Sequence, residues 1–239
     1  ANYKALDKML KVGIKLQLLK KYPMEALSSE TCIKTQFPIH LSGLSKSDGL
    51  ILETKHKNAV YGYFRTEQGN SVYLENITIK TRDFLNGDFS AGNYFFVTSS
   101  YQSFYAPNAK PNIDYFRIEN CEIYGSIVLA NFSSSSENQN IDSFRKKNKV
   151  KEVIVSNSYF NGGNTTFSFS NLGFDRVQIE NNKIQNFNDS FLSFAASGLE
   201  ESYYEILYRN RGRIEVLKNE FKNDKLVKIK KGRTLTTIT

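Results

Sequence analysis

An eight-residue pattern recurs along this chain of 239 residues, and it leaves few folds open. Phe116-Arg117-Ile118-Glu119-Asn120-Cys121-Glu122-Ile123 reads apolar, x, apolar, x, Asn, x, x, apolar. The same order runs from Val72 to Ile79, from Val153 to Phe160 and from Val177 to Ile184. From Ile214 to Phe221 it returns with Lys218 in the Asn place. Each copy alternates with period two for four residues, as a strand does, then bends at a residue that tolerates turn geometry. A fixed unit used five times is the signature of a repeat architecture.

The separation between successive Asn places shrinks to 24 residues from Asn157 to Asn181, which exposes the bare unit. After Asn157 the chain turns at Phe160, passes Gly162-Gly163, and makes a second strand from Thr166 to Phe169. It returns through Leu172, Gly173 and Phe174. Longer separations keep these parts and add loops, Tyr101–Asn112, Asn131–Lys149 and Ala196–Gly212. Coils of such strands stack as an all-β parallel β-helix, with equivalent positions in ladders roughly 4.8 Å apart. Val72, Phe116, Val153, Val177 and Ile214 should point inward, as should Leu74, Ile118, Val155, Ile179 and Val216 two residues later.

The strand–Asn–turn unit resembles the right-handed parallel β-helix of the pectate-lyase-like (pectin lyase-like) superfamily. There a ladder of stacked asparagines commonly lines one turn, and the matching positions here are Asn76, Asn120, Asn157 and Asn181. The resemblance covers most of residues 14–230 at the level of fold and reaches no one family's catalytic motif. It implies the architecture and points to polysaccharides. It does not imply a reaction, because that superfamily hosts lyases, hydrolases, adhesins and proteins without known activity.

The rest of the chain fits around the solenoid. Residues 2–12 read as a helix with Tyr3, Leu6, Met9 and Leu10 on one face and Gly13 as its stop. As residues 1–13 it would cap the open hydrophobic end of the first coil. Ile14–Leu19, Cys32–Phe37, Ile39–Leu41, Leu50–Leu52 and Val60–Phe64 are strand candidates in less regular coils. Residues 231–239 form a tail, and no amphipathic helix is available to cover the last coil. The tail, further chain or a second chain would have to cover it. No apolar run is long enough to cross a bilayer, so no membrane insertion is expected. No signal peptide is legible, and a start at Ala1 fits either a processed export signal or a trimmed chain. The expected location is secreted, periplasmic or cell-surface.

The two cysteines make no disulfide framework, and Cys121, just after a ladder Asn, reads as a buried free thiol rather than half of a Cys32–Cys121 bridge. His40 and His56 lack a second ligand at metal spacing and read as surface residues. The formal charge of +8, from 32 Lys and Arg against 24 Asp and Glu, favours an anionic partner.

Three sets of residues are candidates for chemistry. The insertions leave the coil at one point and should emerge along one edge, where long loops on a rigid scaffold concentrate function. They carry Tyr101, Phe104 and Tyr105, then Arg145, Lys146 and Lys147, then Tyr203, Tyr204 and Tyr208 with Arg209, Arg211 and Arg213. Aromatic faces among basic groups suit an acidic polysaccharide, the rings stacking on pyranoses and Arg binding the anions bidentately. Single-stranded nucleic acid ranks below it, since no nucleic-acid motif is present. As a polysaccharide lyase acting by β-elimination, the chain would use Tyr208, Arg209 and Arg211 as its catalytic set. Tyr101, Tyr105, Arg145, Lys146, Lys147, Tyr203, Tyr204 and Arg213 would hold substrate. A hydrolase is disfavoured, because no Asp-Asp pair or Gly-His-Gly is present. A non-catalytic adhesin or glycan-binding module is the alternative. Finally, Glu75 and Glu119 fall on one outward ladder about 5 Å apart, where Arg117, a Ca²⁺ ion or solvent would have to offset their repulsion.

Overall fold

In the computed structural model the described residues are 2–24, 33–35, 37–52, 64–66, 71–81, 114–125, 127–130, 149–162, 165–170, 173–187, 190–195 and 212–222. They form one helix and nineteen strands, and every strand pairing is parallel. Parallel neighbours far apart in sequence mean that the chain winds, and it does so in seven coils.

The first coil holds β1 (Leu16–Leu18), β2 (Lys21–Met24) and β3 (Ile33–Thr35). The second holds β4 (Ile39–Gly43), β5 (Gly49–Leu52) and β6 (Phe64–Thr66), and the third β7 (Val72–Glu75) and β8 (Thr78–Thr81). The fourth holds β9 (Tyr115–Glu119), β10 (Glu122–Tyr124) and β11 (Ile127–Ala130). The fifth holds β12 (Lys149–Ser156), β13 (Tyr159–Asn161) and β14 (Thr165–Ser170). The sixth holds β15 (Gly173–Glu180), β16 (Lys183–Gln185) and β17 (Ser190–Ala195), and the seventh β18 (Arg213–Leu217) and β19 (Glu220–Lys222). First strands of all coils make one seven-stranded sheet, second strands another, and β11, β14 and β17 a third. This is an all-β parallel β-helix. The residues from Gly173 that read as a return segment are the start of β15.

The register follows the apolar alternation. Leu16, Leu41, Leu74, Ile118, Val155, Ile179 and Val216 stand in one row. All but the two end members are buried outright. The second sheet contributes Leu50, Ile79, Ile123, Phe160 and Ile184 to the same core. Aromatic rings join the faces: Phe160 meets Phe167 at 4.7 Å, and Phe169 meets Phe174 at 5.1 Å, both edge to face. Such pairs add about 0.5–1.5 kcal/mol beyond burial.

Two corners recur among the described residues. At the first, Asn76, Asn120, Asn157, Asn181 and Lys218 all have φ between 52° and 54°. An L-residue reaches this left-handed region at a cost, and asparagine at least cost. At the second, Gly125 (133°), Gly162 (82°) and Asn186 (58°) play the same part, a regularity the eight-residue pattern does not contain.

The expected amide ladder is displaced by one position. Asn157 and Asn181 are exposed, and among the four expected members only Asn120 donates its amide to the next, Asn76. From the third coil on, the inward position is the following residue: Ile77, Cys121, Ser158 and Asn182 are buried and Asn219 is half-buried. The Cys121 N–H donates to Ser158 Oγ (3.0 Å), the Ser158 N–H to Asn182 Oδ1 (2.9 Å), and the Asn182 N–H to Asn219 Oδ1 (2.9 Å). A residue in the left-handed corner must point outward, so its successor points in and supplies the bonds that the bent backbone needs.

Helix α1 (Asn2–Leu10) is shorter than expected and lies against β2 and β3 of the first coil. Leu6 and Leu10 join the core, and Asn2 Nδ2 donates to the Pro23 carbonyl at 2.8 Å. Cys121 is a buried free thiol, as its place in the repeat implied. Cys32 and His56 lie outside the described residues.

Candidate functional site

The outward side chains of the first sheet form three parallel rows. One reads His40, Tyr73, Arg117, Ile154, Gln178, Glu215. The next reads Ser42, Glu75, Glu119, Ser156, Glu180, Leu217. On the other side of the first lie Tyr115, Glu152, Arg176 and Arg213.

Charges from the first and third rows interlock across four coils. Glu152 accepts from Arg117 at 2.6 Å and from Arg176 at 3.3 Å. Glu215 pairs with Arg176 at 3.6 Å and Arg213 at 2.7 Å. Three guanidiniums therefore share two carboxylates within these two rows, while the adjoining row adds Glu75, Glu119 and Glu180. Exposed pairs of this kind add little stability, about 0–1 kcal/mol each. Their effect is to fix direction, because a guanidinium with five N–H donors still has several to offer outward. At the other end the strip turns aromatic. The Arg117 guanidinium lies 5.9 Å from the ring centroids of both Tyr73 and Tyr115, and Tyr73 meets His40 at 5.7 Å. Lys151 approaches the Tyr115 ring at 5.7 Å while bonded to Asp114 at 2.8 Å, a contact that pushes its pKa up.

This strip borders the points where the chain enters the first sheet after each insertion. The strands that follow them, β9, β12 and β18, all belong to the first sheet, and Asp114, Lys151 and Arg213 stand at or near their starts. Tyr101, Tyr105, Arg145, Lys146, Lys147, Tyr203, Tyr204, Tyr208, Arg209 and Arg211 lie outside the described residues. Of the expected substrate-binding residues, Arg213 is described, and it is tied to Glu215. Sequence reading missed Glu152 and Arg176. Their signal was alternating charge one residue ahead of each apolar pair, at Glu152, Arg176 and Arg213.

Glu75 and Glu119 do face each other in adjacent strands. Arg117, one of the three means considered for offsetting them, turns to Glu152. Among the described residues no cluster of three or more His, Cys, Asp or Glu side chains is arranged to hold a metal ion. Burial pushes the Cys121 thiol up to about 12, which removes it as a nucleophile at ordinary pH. Tyr124 and Tyr159 are also pushed up, first by burial, opposite to what proton abstraction requires.

The chain matches no protein-family model, no curated protein and no solved structure.

Proposed function

We propose that this chain is a secreted or cell-surface β-helix protein of the pectate-lyase-like type that binds an anionic polysaccharide along the outer face of its first sheet. The observation that carries the reading is Arg117, 5.9 Å from the rings of both Tyr73 and Tyr115, at the head of two rows in which three arginines meet two glutamates. Rings take the apolar faces of pyranoses, and guanidiniums oriented by Glu152 and Glu215 take carboxylates or sulfates. A straight, rigid row with a coil every 4.8 Å or so suits an extended polymer. The overall charge of +8 adds long-range attraction. Tyr208, Arg209 and Arg211 are the set that β-elimination would draw on.

Binding is tested by titrating polygalacturonate, alginate and heparin at low and high salt. Affinity for at least one should fall steeply as salt rises. Incubating the same polymers with and without Ca²⁺, and following the unsaturated product near about 235 nm, separates a lyase from a binding module, since elimination leaves that chromophore after proton loss next to a carboxylate. Salt-insensitive binding, or none, would sink the proposal.

A further inference from the structure

Positive charge and exposed apolar surface gather in the first two coils. Residues 1–46 hold eight lysines against three acids, so five of the chain's eight net positive charges fall in this short stretch. It contains no arginine, the first being Arg65. Among the described residues seven large apolar side chains are exposed, and five of them, Val12, Ile14, Leu19, Phe37 and Leu44, belong to the same stretch. The other two, Leu217 and Phe221, lie in the last coil.

Local structure explains how these side chains come to face outward. Leu6 and Leu10 bury one side of α1, and Lys4, Lys8 and Lys11, at helical spacing, line the exposed side. Gly13, at a φ of 75°, ends the helix, with Val12 and Ile14 on either side of it 62% and 45% exposed. Exposed Lys15 follows. At the first corner Leu18 pairs with Gly43, so Leu19 and Leu44 stand one coil apart, 62% and 67% exposed. Later coils send this position inward, as Ile77, Cys121 and Ser158. Lys20 and Lys21 come next, and both are exposed.

Stability alone does not account for the arrangement. Lys8 and Lys11 suit the C-terminal end of the helix dipole, and Lys11 is tied to Asp7 at 2.8 Å. Neither reason extends to Lys4, Lys15, Lys20 or Lys21, and exposed Leu and Ile gain nothing from water. Lysines set among apolar side chains match an anionic lipid surface. Their stems lie along the apolar boundary while the ammonium groups reach the headgroup phosphates. A diffuse negative field is met by point charges, which lysine supplies, whereas single anions are gripped bidentately by arginine, the cation of the first sheet.

We propose that the outer side of α1, with Val12 and Ile14, and the adjoining corner, with Leu19 and Leu44, dock on an anionic membrane surface. The four apolar side chains enter the boundary between headgroups and acyl chains, and the lysines hold the protein there. The contact lies in the interface; among the described residues no helix is long and apolar enough to cross a membrane. It uses none of the arginines of the first-sheet strip and stands independently of polysaccharide binding.

The test is flotation of the protein with vesicles of phosphatidylcholine alone and of equal parts phosphatidylcholine and phosphatidylglycerol, at low and high salt. The protein should float with the mixed vesicles and not with the neutral ones, and salt should weaken the binding. Lys4→Gln with Lys8→Gln should weaken it about tenfold or more, since each lysine near a charged surface contributes about fivefold. Val12→Ser with Ile14→Ser, and Leu19→Ser with Leu44→Ser, should each weaken it about tenfold and leave the salt dependence intact. Arg117→Gln should float as the parent does. Circular dichroism checks the fold of each variant. The proposal is overturned if the parent binds neither vesicle, if it binds neutral vesicles equally well, or if Arg117→Gln removes the binding. It is also overturned if neither apolar pair is needed, which would leave charge alone and make an acidic protein the better partner.

Discussion

Asn219 Oδ1 accepts both the backbone N–H of Asn182 (2.9 Å) and its side-chain N–H (3.0 Å), so two asparagines one coil apart are locked by a shared oxygen. Asn182 Nδ2 also donates to the Val155 carbonyl at 3.0 Å, and Asn219 Nδ2 to the Ile179 carbonyl at 2.7 Å. Each side chain thus serves the backbone of the coil before it. In a buried corner such bonds are costly to leave unmade, because water cannot replace them.

Replacing Asn182 with Leu should accordingly destabilise the protein by about 1–3 kcal/mol, the penalty for leaving buried partners unsatisfied. Urea denaturation checks it through the midpoint at constant slope. A midpoint equal to the parent's would show that the ladder is not at this position.

The exposed position of the same corner behaves differently. Asn157 is needed for its φ of 53° and not for a buried amide. Asn157→Gly should cost little, whereas Asn157→Val should cost about 1–2 kcal/mol, since a β-branched residue resists the left-handed region. Equal midpoints for the two variants would contradict this division of labour.

Those two corners show what was legible in the sequence. Val153, Val155 and Asn157 suffice to place β12, its inward row and its bend, because period two and a turn-tolerant residue are local properties. The ladder is not local. Asn181 and Asn182 are consecutive, and which one points inward depends on the backbone twist between them. Among the other members Cys121 and Ser158 are not amides at all. The first two coils were harder to see because Gly43 and Leu18 stand where later coils have Asn. In the candidate site, Glu152 and Arg176 fall one residue outside the repeated pattern, and their pairing across coils becomes visible only once the register is known.

Gly212 closes the third insertion onto β18. A Cβ there would meet the Asp175 carbonyl oxygen at 1.6 Å, a clash with backbone that no side-chain rotation relieves. Gly212→Ala should displace the start of β18, separate Arg213 and Glu215 from Arg176, and lower the thermal midpoint by several degrees (about 1–3 kcal/mol in a domain this size). Unchanged melting would mean that the approach is looser than this.

Cys121 supplies a pH test. Its pKa rises from 9.0 to about 12 on folding, chiefly by burial. The folded state then holds a proton that the unfolded chain gives up above about pH 9, so stability from this group is complete below that pH and drains away towards 12. Cys121→Ala should show a shallower loss of stability than the parent between those limits. Parallel curves would mean that the thiol titrates freely in the folded protein.

The most direct measurement of the central claim is the affinity of four proteins for the anionic polymer that binds best. They are the parent, Arg117→Gln, Tyr73→Ala, and Lys8→Glu on helix α1. Arg117 and Tyr73 lie on the proposed strip, and Lys8 is exposed on α1. Arg117→Gln and Tyr73→Ala should each weaken binding about tenfold or more, and Arg117→Gln should also flatten the salt dependence. Lys8→Glu should change affinity little. Equal losses from all three substitutions would mean that diffuse positive charge, and not a site on the first sheet, holds the polymer.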